Sequence, residues 1–331
     1  MTTQTPDQTS DTGTALPPNP VLCFETEVRA VRRLSPSFVR ITFGGACLAR
    51  FDDCGELGPR DLRIKVIAPV GGRQPAFVET RGDGWYQDWL AGDPRHRGEM
   101  RTYTVREVRS EGERSEVDID FVLHTSDEPS DKPSDEHGAQ SGPAADWAAA
   151  ATVGDRLLLM GPNLGCAELY GGIEWRPPLP GTEPVRVLLV GDETAVPAIG
   201  SILATLPQGY VGRALLEVEE PEDFQELRTA AEVEITWLAR SGRPRGERLA
   251  EAVRGAVPSR DAHVDVPDVD PELLWETPRD LGLSVDGDAP YVWIAGEAGV
   301  VKGLRRYLVG DVGLPRSAVS FMGYWRVGAS I

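Results

Sequence analysis

Residues 101–104 read Arg-Thr-Tyr-Thr. In an extended chain alternate side chains share a face, so Arg101 and Tyr103 point one way and Thr102 and Thr104 the other. A guanidinium can fork onto a phosphate, and a tyrosine ring can lie against a planar ring system. That is equipment for holding a flavin nucleotide. Tyr103 would pack on the isoalloxazine, the Thr104 hydroxyl or backbone N–H would meet N5, and Arg101 would hold a phosphate. The same four residues also suit an ordinary edge strand with a surface arginine. Only their surroundings separate the two readings.

Other groups along the chain can carry chemistry. His124 ends the next apolar stretch, EVDIDFVLH, and alone reads equally as a structural histidine. Gly142, Pro143, Ala144 and Ala145 open a short helical stretch. Free N–H groups at such a start bind anions, although a plain helix start after a loop looks the same. Gly191, Asp192, Glu193, Thr194 and Ala195 follow an apolar run, and Gly296, Glu297 and Ala298 follow another. Neither turn is GxGxxG, so the dinucleotide fingerprint is absent. Both still lie where open α/β sheets bind ligands, beyond the carboxyl ends of strands. Lys65 interrupts the apolar segment LRIKVIAP, Arg240 follows ITWLA, and Arg326 follows the Tyr324-Trp325 pair. Lys302, Arg305 and Arg306 share a helical stretch and read as a solvated face.

The elements that must position these residues fall into two grammars. Up to about residue 159, six short segments alternate with period two: FETEVRAVRRL, SFVRITFGG, LRIKVIAP, MRTYTVREV, EVDIDFVLH and DRLLLMGP. With one short helical stretch at 144–151, they predict a closed six-stranded antiparallel barrel over 21–180. After the Pro-rich bridge 174–184 the runs VRVLLVGDE, RALLEVEE, EITWLARSG, YVWIAGE and AVSFMGYW alternate with helical spacing. That predicts a parallel α/β nucleotide-binding domain over 184–331. The fold class is thus α+β with two domains. Residues 1–20 read as a disordered tail, 126–141 as a solvated loop insertion, and 254–287 as an irregular acidic surface excursion.

The bulk numbers narrow the chemistry. The chain has 331 residues, 40% of them hydrophobic, and a net charge of −18 from 34 Lys+Arg against 52 Asp+Glu. Such a surface repels nucleic acid and anionic membranes, so an anionic ligand needs a local basic pocket. The N-terminus has neither a basic nor an apolar leader region, which leads to the expectation of a cytoplasmic protein. The four cysteines and four histidines show no metal-ligand spacing, so no protein-held metal is expected. Each cysteine reads as a small buried hydrophobe.

Together the motifs RTYTVR (101–106), DFVLH (120–124), GPAADWA (142–148), LLVGDETAVPAI (188–199), ITWLAR (235–240), WIAGEAGVVKGLRRYL (293–308) and SFMGYWRVG (320–328) resemble those of the siderophore-interacting proteins. These are FAD-dependent ferric-siderophore reductases of the ferredoxin-reductase superfamily. The resemblance spans nearly all of residues 24–328. It implies that Arg101, Thr102, Tyr103 and Thr104 bind FAD, helped by the backbone around Val122 and His124. It assigns the pyrophosphate to Gly142, Pro143, Ala144 and Ala145, where the family commonly has Ser at the position of Ala145. Gly191, Asp192, Glu193, Thr194, Ala195, Gly296, Glu297 and Ala298 would receive NADPH or NADH, and Lys65 and Arg326 would face the substrate.

The implied reaction moves electrons from NAD(P)H through flavin to Fe(III) in a siderophore, and the more weakly held Fe(II) leaves. It needs no acid, base or nucleophile, and no protein ligand to the iron. Tyr103, Thr104, Tyr324 and Trp325 would shape the flavin surface. Glu219 and Glu220 could bind a ribose diol, whereas Arg240 could grip a 2′-phosphate, and the superfamily's habit leans toward NADPH. A monomer acting on a ferric siderophore, without nucleic acid or membrane, is the expectation. Two rival readings stay open: a general NAD(P)H–flavin oxidoreductase, and a non-enzymatic siderophore-binding protein.

Overall fold

The computed structural model describes residues 19–80, 84–123, 142–166, 170–259, 275–278 and 289–327. His124, the 126–141 segment and most of the N-terminal tail lie outside the described residues. Six strands close into a barrel: β1 (Val21–Ser35), β2 (Phe38–Gly44), β3 (Arg63–Ala68), β4 (Glu99–Arg109), β5 (Glu116–Val122) and β6 (Arg156–Pro162). Around the barrel the order is β1-β2-β5-β4-β3-β6, with every neighbour antiparallel. The period-two alternation works as expected. Phe24, Ile41, Phe43, Ile64, Val66, Ile119, Phe121 and Leu159 point inward and form one core.

Three helices accompany the barrel. α1 (Trp85–Ala91) and α2 (Pro94–Arg97) add to the single helical stretch read from the sequence. Both are short and sit among Gly, Asp and Pro, where 3.6-residue periodicity has no room to show. The third, α3 (Pro143–Ala150), starts one residue before the expected stretch. It touches β2, β3, β4 and β5 and so covers one end of the barrel. Its Trp147 ring stacks on Phe43 at 6.1 Å and meets Phe121 at 6.2 Å.

The second sheet contains β7 (Val185–Gly191), β8 (Tyr210–Val218), β9 (Glu232–Ala239), β10 (Trp275–Glu276), β11 (Tyr291–Glu297) and β12 (Val319–Trp325) in the order β10-β12-β11-β7-β8-β9. All five strands predicted from the apolar runs pair in parallel. Only β10 is antiparallel, against β12. Helix α4 (Val196–Thr205) covers one face of the sheet, while α5 (Glu247–Ala256) and α6 (Ala298–Arg305) cover the other.

The 254–287 stretch is not wholly an irregular surface excursion. Its first residues complete α5, and Trp275 and Glu276 add β10 to the sheet. The helical trio also divides. Arg305 is 3% exposed, and its Nη2 lies 3.3 Å from Glu276 Oε2, so it belongs to the interior. Among the cysteines only Cys23 is buried, which pushes its thiol up to about 11. The other three are intermediate in exposure.

Two buried aspartates bolt the domains together. Asp61, between barrel strands, accepts from the backbone N–H of Glu174 at 3.0 Å, from that of Trp175 at 3.0 Å, and from Trp293 Nε1 at 3.1 Å. Asp223 of the α/β domain accepts from Ser35 Oγ at 2.7 Å and Ser37 N at 2.8 Å. Phe38, Val122 and Trp175 from the barrel side join the core beneath the second sheet. No helix among the described residues is long and apolar enough to cross a membrane.

Candidate functional site

The tetrapeptide at 101–104 lies where the barrel wall splits. β3 pairs with β4 from Glu99 to Thr104, but β4 pairs with β5 only from Val105 onward. The 101–104 edge therefore faces the 120–122 edge of β5 without a ladder between them. Unpaired strand edges offer N–H and C=O groups to a ligand. Arg101, Thr102, Tyr103, Thr104 and Val122 all border this split.

Alternation sorts the four side chains as expected. Tyr103 turns toward the barrel interior, where its ring meets Phe121 at 4.5 Å. Burial pushes its phenol well above the usual range. Arg101 lies on the same side and donates to Glu99 Oε2 at 3.0 Å and to the Met100 carbonyl at 2.9 Å. Helix α3 covers this end of the barrel and contacts β4. Its first turn is thereby brought to the end of the barrel that holds Arg101 and Tyr103. Gly142 supplies no side-chain cap, and a Cβ built there would meet nothing within 4 Å. Ala144 and Ala145 are buried against the barrel, so this start can offer backbone rather than side-chain donors.

Thr102 and Thr104 point outward, Thr102 exposed and Thr104 buried beside Tyr324 of the α/β domain. Directly across from them on β3 stand Lys65 and Arg63. Lys65 Nζ donates to Thr102 Oγ1 at 2.6 Å and has no carboxylate partner among the described residues. Burial, and then the neighbouring Arg63, hold its ammonium below the usual lysine range. Arg63 pairs with Glu174 at 2.8 Å and lies 4.2 Å over the Trp275 ring. Trp275 in turn stacks on Tyr324 at 6.1 Å, and Trp293 meets Tyr324 edge-on at 6.3 Å. The Tyr324 hydroxyl is buried beside Thr104 without a full hydrogen bond. An aromatic wall with one hydroxyl unmet among the described residues thus faces a threonine and an arginine. These groups fit the edge of a flavin, whose ring N–H donates and whose carbonyls and bare ring nitrogens accept.

The 191–195 and 296–298 turns meet at the reversal of strand order, between β7 and β11, where ligands of doubly wound sheets bind. Ala295 is paired with Gly191, which brings both turns side by side. Asp192 holds them together. Its Oδ1 accepts from Thr194 N at 2.9 Å, and its Oδ2 accepts from Glu297 N at 2.8 Å and Trp325 Nε1 at 2.9 Å. Burial, and then the adjacent Glu193, push the Asp192 carboxyl up to about 6. Gly296 has φ +150°, and a Cβ there would lie 2.7 Å from Asp192 Oδ2, so only glycine fits. Glu297 caps α6 through Val300 N at 2.9 Å, and Ala298 begins that helix. Ala195, whose N–H bonds the Asp192 carbonyl at 3.0 Å, precedes α4. Beside these turns, between α5 and α6, opens a cavity of about 510 Å³ lined by Arg245, Gly246, Arg254, Glu297, Val300 and Tyr307.

Arg240 stands differently from its reading as a phosphate grip. It is 2% exposed, and its guanidinium bonds Glu193 at 2.9 Å, pairs with Glu219 and lies 3.8 Å from Glu217. Glu193 also pairs with Arg245. Burial raises the Glu193 carboxyl, but Arg245 and Arg240 outweigh it and hold it below the usual range. Arg240 is therefore a buried cation already matched by carboxylates, while Glu219 remains at the end of β8, 43% exposed at its side chain. Arg326 is exposed just after Trp325, whose ring carries Arg245 at 4.7 Å.

Sequence reasoning missed Arg63, Asp61 and Trp275. Arg63 shares the face of Lys65 by period two, a signal that was present. Asp61 and Trp275 have no local signal, because their partners lie far away in the chain.

Comparison with known proteins gives a coherent picture. A siderophore-interacting FAD-binding domain matches residues 27–166, and the siderophore-interacting protein family matches residues 184–328. An uncharacterized protein of Mycobacterium tuberculosis is 31% identical over 91% of this chain and 89% of its own length. The ferric vibriobactin reductase ViuB of Vibrio cholerae is 26% identical over 89% of this chain and 86% of its own. Among solved structures, a siderophore utilization protein from T. fusca superposes with a TM-score of 0.64 at 27% identity, covering 94% of this chain and 95% of that one.

Proposed function

The chain belongs to the siderophore-interacting protein family, and from that premise we propose that it is a cytoplasmic, monomeric FAD-dependent reductase that passes electrons from NAD(P)H to Fe(III) in a ferric siderophore and so releases Fe(II). Bound FAD supplies the conversion between a two-electron donor and a one-electron acceptor, so one NAD(P)H reduces two Fe(III) and yields one proton. The observation that carries the reading is the cationic pair Lys65 and Arg63, with its threonine neighbours, beside the split barrel wall. Lys65 is a half-buried cation with no carboxylate partner among the described residues of a chain with 52 acidic residues. Such a charge attracts an anionic chelate and draws it toward Thr104 and Tyr324.

The remaining residues have supporting roles. Arg101 and the α3 start hold phosphates, and Thr104 and Tyr324 offer hydroxyls to the flavin edge. The 191–195 and 296–298 turns hold the dinucleotide around Asp192. With Arg240 neutralised by glutamates and Glu219 left at the strand end, the 2′ position favours the free ribose hydroxyl of NADH over the phosphate of NADPH.

A general flavin oxidoreductase would share every cofactor contact but would not need the cationic face. The test compares Lys65→Ala and Arg326→Ala with wild type on a ferric siderophore and on a neutral quinone acceptor. The proposal expects KM for the ferric chelate to rise about tenfold, one charged contact of ~1.4 kcal/mol, with quinone reduction unchanged. Equal rates on both acceptors in all three proteins would favour the general oxidoreductase.

A further inference from the structure

A second cavity, of about 840 Å³, opens between the barrel and α4, away from both nucleotide turns. Arg32 of β1, Arg40 of β2 and Arg106 of β4 line its barrel side, and Ser201 of α4, Gln225 and Arg228 line the other. Two carboxylates, Glu107 and Glu226, share the lining.

The cations there are not matched by the acids. Arg40 takes both oxygens of Asp120, at 2.6 and 2.7 Å. Among the described residues Arg106 has only that same Asp120, at 3.9 Å, beyond hydrogen-bond reach, although its side chain is only 15% exposed. Arg32 makes no ion pair among the described residues. Glu226 is held by Arg228 at 3.0 Å and Glu107 by Arg109 at 3.6 Å. Ser201 Oγ and Gln225 Nε2 are buried without a hydrogen-bond partner among the described residues, and Ser201 is 1% exposed.

A guanidinium carries five donors and a buried one left unmet is costly. In a chain of net charge −18 acids are plentiful, yet among the described residues neither Arg32 nor Arg106 has a carboxylate within hydrogen-bond reach. An oxygen-rich anion would satisfy Arg106, Arg32, Ser201 and Gln225 together. We propose that this cavity binds a small multivalent oxyanion, a phosphate or a polycarboxylate, and that the bound anion ties the barrel to the α/β domain. The inference does not depend on the reductase reading.

The test is calorimetric titration of the full-length, FAD-saturated protein with inorganic pyrophosphate and with citrate, in chloride buffer of constant ionic strength. Saturable binding of either is the expected result, and the better ligand tells phosphate from polycarboxylate. Arg106→Gln and Arg32→Ala should each weaken it about tenfold, the loss of a charge-assisted hydrogen bond. Arg32 is exposed and makes no ion pair among the described residues, so its variant keeps the fold even if Arg106→Gln does not. The flavin spectrum of Arg32→Ala should match wild type. Absence of binding, or equal affinity in wild type and Arg32→Ala, overturns the proposal. Loss of pyrophosphate binding on saturation with NADH overturns it too, because the anion would then occupy the dinucleotide site.

Discussion

Asp192 gathers more donors than any other side chain near the nucleotide turns, and it does so while buried beside a second carboxylate. Its folded pKa, about 6, stands above the ordinary 3.8. A raised carboxyl binds its proton more tightly in the folded state. The stability it contributes is full below about 3.8 and is lost as pH rises through about 6. Against Asp192→Asn, which does not titrate, wild type should lose roughly 1.4 kcal/mol per pH unit across that window. Urea midpoints at pH 4, 5, 6 and 7 measure this. A difference that stays flat or grows with pH contradicts the burial of a titrating Asp192. Arg240 gives a second residue-scale prediction. If its glutamate partners neutralise it, wild type prefers NADH, and Arg240→Ala lowers stability without lowering kcat/KM for NADPH relative to NADH. A selective loss with NADPH would return Arg240 to the phosphate.

At the scale of elements, the parts legible in the sequence were those whose signal is local. Alternation in MRTYTVREV and the apolar run VRVLLVG each predicted a strand, because burial on one face or both imprints on neighbouring residues. The pairing that splits β4 from β5 at Val105 left no such imprint, yet it turns an ordinary strand into a binding edge. β10 is two residues long and exists because β12 offers it an edge. It also explains why Arg305, on a helix that reads as a solvated face, is drawn inward to Glu276. Asp61 is the strongest case. Its acceptors serve residues 113 to 232 positions away, in two other segments. Asp61→Ala leaves three buried N–H groups without an acceptor, and should lower unfolding free energy by roughly 3–5 kcal/mol. A loss under about 1 kcal/mol in urea unfolding would mean the domains are held elsewhere.

At the scale of the whole molecule, two units with separate cores share one seam. Along that seam lie the split barrel wall, the Trp275–Tyr324 wall and the nucleotide turns around Asp192. The order of motifs was enough to place an antiparallel FAD-binding barrel ahead of a parallel α/β domain. The seam itself was not legible, since it is made by residues from both ends of the chain. The proposed reaction sends electrons across this seam to chelated iron. The direct measurement is an anaerobic titration of the FAD-loaded protein, reduced with one equivalent of NADH and mixed with a ferric siderophore under stopped flow. The expected result is that the yellow absorbance bleaches with NADH and returns with the ferric siderophore, while a ferrous-specific chelator captures two Fe(II) per flavin. A flavin that NADH bleaches but the ferric siderophore leaves reduced, with no Fe(II) captured, would contradict it.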